Sequence, residues 1–452
     1  MRAALPALAA LVLAGRLAAW DGDQTVLPLP PSAEARTSDT AAGLLSRTPV
    51  ERLKPQVVHD PSGVTVTAEL VKKGEGENAL WEFRWEPGAP WGPGTWVAFR
   101  DGLGRLREVR IILLEGSDST DGKLAQPGTW VRLVPQGSGS RLDLFLAGRL
   151  VTGGWTVPGS LLDVMASSDT WLWDNTGDID WSAVVPKRRW EDEKVEALRA
   201  AMHKALSGMP LAAQTLWLPD PDSNADGTTE AGTPWGQWKT LGGDEAARGM
   251  GPWGVTLWTA DGVLRGWKAA PAVWNTLLRQ RIVLPGYSQA YVPEPGNDPA
   301  LAVNWIRNLG LAVQQTLYPS RPLTDVSSDV KGLPLLDPVD AAGGYDVDDV
   351  PALAHLLAVT RPGQAYLVSL SEQTVEDGVS SAVAFREPAV LLPWVGTDDR
   401  VHVVVYAGPS EQTWDQWRAT FAPAAAGGRE PHLMVIALPL PSQTLLPRLP
   451  LR

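Results

Sequence analysis

The clearest metal-ligand spacing in the chain is Asp220-Pro221-Asp222-Ser223-Asn224-Ala225-Asp226-Gly227. Oxygen donors alternate along it, and a glycine then permits a sharp turn, as in the first half of an EF-hand loop. Such a run suits calcium, a hard cation with many oxygen ligands. With Asp222 in the first position, Asn224 is third, Asp226 fifth and Glu230 ninth, while the twelfth is Thr233, where a bidentate Glu is required. The competing reading is an acidic turn full of Asx motifs. A second acidic stretch carries Asp169, Asp174, Asp178 and Asp180, laced with Trp171, Trp173 and Trp181. Carboxylates beside tryptophan are what a glycoside hydrolase needs: one acid for the leaving group, one base or nucleophile, and aromatic platforms for the sugar. Asp174, Asp178 and Asp180 are the candidates for that work. Spacing along the chain cannot place two carboxylates across a cleft, and a solvated loop with tryptophan anchors competes with this reading too.

Other chemistries are thinner or excluded. The chain has no cysteine, which rules out a disulfide framework, a thiolate zinc site and a thiol nucleophile. It has no Gly-x-Ser-x-Gly elbow, no His-Glu-x-x-His, no phosphate-binding glycine loop and no dinucleotide fingerprint. The five histidines (His59, His203, His355, His402 and His432) are scattered singly. Lys+Arg number 39 against 51 Asp+Glu, a net charge of -12, which argues against nucleic acid as a partner. Tryptophan is abundant at 22, yet Tyr is 6 and Phe 5, so tryptophan largely replaces the other aromatics as core filler.

These residues must be positioned by a chain of 452 residues, room for two or three domains with cores of their own. Residues 1–19 read as a secretory signal: Arg2, an apolar run, then Leu17-Ala18-Ala19 before Trp20. The expected location is therefore outside the cytoplasm, in the periplasm or cell envelope. No later stretch reads as a membrane span; residues 300–318 are interrupted by Asn304, Arg307, Asn308, Gln314 and Gln315. Residues 20–58 are rich in Pro, Ser, Thr and Ala and read as a linker. Over residues 59–155, short β-prone runs alternate with Gly, Pro, Asn and Asp clusters, predicting an all-β sandwich with Trp81, Trp85, Trp96 and Trp130 in its core. From 156 to 440, helical and strand patterns mix, predicting an α+β domain with helices set against an antiparallel sheet. Val195, Leu198, Met202 and Leu206 make one helical face; Ala302, Trp305, Ile306, Leu309 and Val313 make another. Residues 441–452, rich in Pro and Leu, read as a trailing tail.

Residues 147–181, the acidic loop and residues 250–262 together resemble a group of exported bacterial envelope proteins, many from spirochaetes, that carry an NlpC-type domain. In that group the helix start reads roughly Asn-Cys-Ser-Gly-Phe, two residues, Trp, two residues, Asp-Gly. Here Gly254, Trp258, Asp261 and Gly262 match, while Pro252 stands at the nucleophile position. Arg361-Pro362-Gly363-Gln364-Ala365-Tyr366-Leu367 resembles the turn that opens the catalytic sheet. Residues 385–394 resemble the strand that starts with the catalytic His, but this chain has Arg386, Glu387 and Pro388 there. The resemblance implies a papain-like α+β fold that kept its frame and lost its reaction, since that reaction needs a thiolate activated by an imidazole. It implies binding of peptidoglycan or another envelope protein through the old cleft, lined by Trp253, Trp258, Asp261 and Glu387. A carboxylate-dependent glycoside hydrolase and a calcium-steadied interaction module are the alternatives.

Overall fold

A computed structural model describes residues 56–59, 64–72, 79–86, 94–114, 128–167, 171–211, 215–219, 236–240, 250–267, 299–323, 327–339, 344–376, 379–419, 432–447 and 449. By its contacts the chain divides into two units, Met1–Ile179 and Asp180–Arg452.

In the first unit one antiparallel sheet of eight strands runs in sequence order: β1 (Gln56–His59), β2 (Thr65–Lys72), β3 (Leu80–Glu86), β4 (Trp96–Asp101), β5 (Leu106–Leu114), β6 (Thr129–Gln136), β7 (Gly139–Leu146) and β8 (Arg149–Val157). The expected all-β sandwich is therefore corrected to a single meander. The strands β2 to β7 come where the pattern put them, while β1 lies mostly in the stretch read as a linker and β8 runs past residue 155; each strand pairs with its sequence neighbour and none goes to a second sheet. Two turns show how. Gln136 faces Gly139 across a two-residue loop that starts with Gly137 at φ +60°, and Leu146 faces Arg149 across Ala147 and Gly148, both at positive φ. Loops of this hand match the twist of the strands they join.

A register row through Phe83, Ala98, Val109, Leu133 and Leu142 puts buried residues on one face of this sheet, with Trp85 and Trp96 in the next row. Trp130 lies in the alternate register, half-buried and stacked on Phe145 at 3.9 Å between ring centroids. Of the four tryptophans predicted to fill this core, it alone points to the opposite face, where the Arg110 guanidinium lies 4.9 Å from its ring. Asp101 is almost fully buried, which pushes its carboxyl up. The backbone N–H of Arg105 and the side chains of Arg105 and Arg107 outweigh that and hold it below the ordinary value. Two short helices follow, α1 (Leu161–Ala166), closed by a Ser160–Asp163 capping box, and α2 (Trp171–Asp174).

The second unit is α+β, as predicted. Its six-stranded, wholly antiparallel sheet has the order β11-β16-β12-β13-β14-β15, from β11 (Tyr345–Asp346), β12 (Gln364–Glu376), β13 (Val379–Val395), β14 (Val401–Tyr406), β15 (Glu411–Gln412) and β16 (His432–Pro439). A separate hairpin joins β9 (Thr215–Pro219) to β10 (Gly236–Thr240). The main helices are α3 (Asp192–Leu206), α4 (Pro252–Gly266), α5 (Pro299–Leu317) and α6 (Val350–Thr360), with a short α7 (Trp414–Arg418). Side chains of α3, α4 and α5 share one core with Leu367, Val390, Leu392, Trp394 and Ile436 of the sheet. Ala358 and Val359 of α6 instead pack with Val395, one residue out of phase with Trp394 and hence on the other face. With both faces covered, the strands lose clean alternation, which is why 389–395 reads as an unbroken apolar run.

The predicted α3 face, Val195, Leu198, Met202 and Leu206, is buried, as are Ile306, Leu309 and Val313 of α5. Gly310 lets α5 approach β16 closely, because a Cβ there would run into Ile436. Among the described residues, no helix is long and apolar enough to cross a membrane.

Candidate functional site

α4 is the helix that carries the resemblance, and its start is built without a reactive group. Gly251 is the N-cap and makes no side-chain cap bond, and Pro252 is the first helical residue, where its missing N–H costs nothing. Pro252 is itself buried. The Thr256 hydroxyl donates to the Trp253 carbonyl at 2.9 Å, closing the first turn on itself.

The matching residues further along α4 are core residues. Trp258 is fully buried, and its indole N–H donates to the Pro447 carbonyl at 2.9 Å. Asp261 is fully buried and pairs with Arg265 at 3.0 Å, one turn on, in an ion pair sealed from solvent on both sides. Neither faces a cleft. Trp253 is half-buried and packs against the edge of the core. Glu387 lies within β13, one residue beyond Arg386, which pairs with Leu370.

The proposed acid and base residues all lie exposed on short helical or turn segments. Asp174 ends α2 and Asp178 lies in the turn after it, both exposed and both in the first unit. Asp180 opens the second unit and caps the 3-10 turn Trp181–Ala183, accepting from the Ser182 backbone N–H at 3.1 Å and hydroxyl at 2.6 Å. Asp222, Asn224, Asp226 and Glu230, the calcium candidates, lie outside the described residues. Among the described residues there is no group of carboxylates and histidines able to hold a metal ion.

What the fold does bring together is a polar cluster that sequence reasoning missed, where α3 meets β13, β14 and β15. The Arg199 guanidinium grips Glu411 through two nitrogens at 3.0 and 2.7 Å, and the Tyr406 hydroxyl donates to the same carboxylate at 2.9 Å. Burial pushes the Glu411 carboxyl up, but Arg199 and Tyr406 outweigh it and hold it below the ordinary carboxylate value. Tyr406 is raised, first by burial and then by that carboxylate. Arg199 also lies over the Trp394 ring at 5.5 Å, and His402 stacks on that ring at 5.3 Å. The His402 Nε2–H donates to Asp398 at 2.9 Å across the hairpin turn.

An imidazole steered by a carboxylate is half of a hydrolytic triad, but no hydroxyl hydrogen-bonds to His402 among the described residues. Glu411 accepts three hydrogen bonds, two from Arg199 and one from Tyr406. The arrangement suits holding the end of the sheet to α3. No sequence signal joins Arg199 to Glu411, 212 positions apart. Comparison with protein-family models, curated proteins and solved structures finds no match to this chain.

Proposed function

We propose that this chain is an exported, non-catalytic binding protein of the cell envelope, with cell-wall glycopeptide as its ligand and a degenerate NlpC-like frame as its scaffold. The observation that carries the reading is Pro252, buried at the first position of α4, where an NlpC-type enzyme would present its thiolate. A proline offers neither nucleophile nor hydrogen-bond donor, and the chain has no cysteine elsewhere to replace it. The frame residues that match the family are consistent with a scaffold role, because Trp258 and Asp261 are engaged in packing and in a buried ion pair. Trp253, at the helix start and only half-buried, has surface left for a ligand.

The test is incubation with purified peptidoglycan sacculi, with protein followed in the pellet and soluble fragments followed by mass spectrometry. The expected result is co-sedimentation without fragment release, weakened by Trp253→Ala. Fragment release overturns the non-catalytic reading, and protein left in the supernatant overturns the wall as ligand.

A further inference from the structure

Asp180, Ser182 and Arg189, on the segment leading into α3, face Leu333, Pro334 and Val359 across an open pocket of about 520 Å³ in the second unit. That volume falls within the range of small-molecule sites. Its walls are held from behind. Trp181 and Ala183 are buried, and the Val184 carbonyl accepts from the His355 imidazole of α6 at 2.7 Å. The Arg189 backbone N–H donates to the fully buried Asp192, which also accepts from the Val395 N–H of β13. Opposite, Gly332 turns the chain at φ +65°, and Arg361 donates to the Lys331 carbonyl.

Two opposite charges line this pocket without being used on each other. Both bonds that Asp180 accepts, from the Ser182 N–H and hydroxyl, fall on one carboxylate oxygen, and the other has no partner among the described residues. The Arg189 guanidinium is exposed and makes no side-chain hydrogen bond or ion pair among the described residues; it acts on Asp192 through its field. A simple anion would be attracted by Arg189 and opposed by Asp180, and a simple cation the reverse. A ligand carrying both charges satisfies both groups, while Leu333, Pro334 and Val359 supply an apolar wall for a small carbon frame.

We propose that this pocket binds a small zwitterion, an α-amino acid or a dipeptide, with Arg189 taking the carboxylate and Asp180 the ammonium. This goes beyond the wall-binding reading and does not depend on it.

The test is calorimetric titration of the full chain with alanine and with alanylalanine, beside N-acetylalanine, which lacks the ammonium, and alaninamide, which lacks the carboxylate. The expected result is binding of at least one zwitterion, with each blocked analogue weaker by about tenfold or more, the worth of one charge-assisted hydrogen bond. Whether alanine or alanylalanine gives the heat tells the two sources apart. Arg189→Gln and Asp180→Asn should each weaken the zwitterion by a similar factor. Asn retains the oxygen that caps the 3-10 turn, and circular dichroism and denaturant midpoints report whether both variants keep the fold. No heat with either zwitterion at millimolar concentration, blocked analogues that bind equally well, or a folded variant with unchanged affinity would overturn the proposal.

Discussion

His355 shows how far a residue's meaning depends on what surrounds it. In the sequence it is one of five scattered histidines; in the fold it is buried in α6 with its ring donating to the Val184 carbonyl. Burial lowers its pKa from 6.5 to about 4, against a smaller raising effect from that bond. The unfolded chain therefore takes up a proton near pH 6.5 that the folded chain refuses until about pH 4. His355 supports the fold fully above that window, and the support is lost as pH falls through it, by about 3 kcal/mol in all. Urea midpoints measured across the window should drop for the native chain and stay nearly flat for His355→Gln. Parallel slopes would show that the ring is solvated. The same dependence on surroundings separates Asp261 from Asp180. One carboxylate is sealed against Arg265; the other, at a pocket wall, has an oxygen with no partner among the described residues.

At the scale of elements, the C-terminal run is the clearest departure from the sequence reading. Pro and Leu without periodicity predicted a trailing tail after 440, but residues 440–447 lie against α4 and the turn before β12. The Leu440 N–H donates to the Gly363 carbonyl, the Leu445 N–H to the Gly262 carbonyl, and the Pro447 carbonyl takes the Trp258 indole. Helical Gly262 is what allows this approach, since a Cβ there would sit 2.7 Å from the Leu446 Cδ2 and 2.9 Å from its Cα. In an exposed helix interior, glycine to alanine stabilises by about 1 kcal/mol. Here Gly262→Ala should instead destabilise by about 1–3 kcal/mol, because a close-packed neighbour must move. A guanidinium midpoint decides the sign, and a gain in stability would mean that the segment does not dock on α4.

At the scale of the whole molecule, each unit has a sheet and buried residues of its own. The second draws its core from α3, α4 and α5 against the six-stranded sheet. Residues 180–452 expressed alone should therefore unfold in one cooperative urea transition. Its near-ultraviolet circular dichroism should be strong, from Trp258, Trp394 and Trp417, which are held in fixed surroundings. A broad transition with no near-ultraviolet signal would show that the unit cannot hold its packing without the first.

Sequence pattern alone determined the β-rich first part, the apolar faces of α3 and α5, and the α+β character of the rest. Those are local matters of period and turn chemistry, and neighbouring residues carry them. It also determined that no thiol chemistry can occur, because composition needs no fold to be read. Tertiary structure alone decided that the first eight strands form one meander, that the last segment docks on α4, and that Trp258 and Asp261 are core rather than cleft. It also brought Arg199 to Glu411, and Asp180 to the same pocket as Arg189. The physical reason is separation along the chain. Side chains far apart in sequence meet only when sheets and helices bury their faces, and no local pattern records which faces those will be.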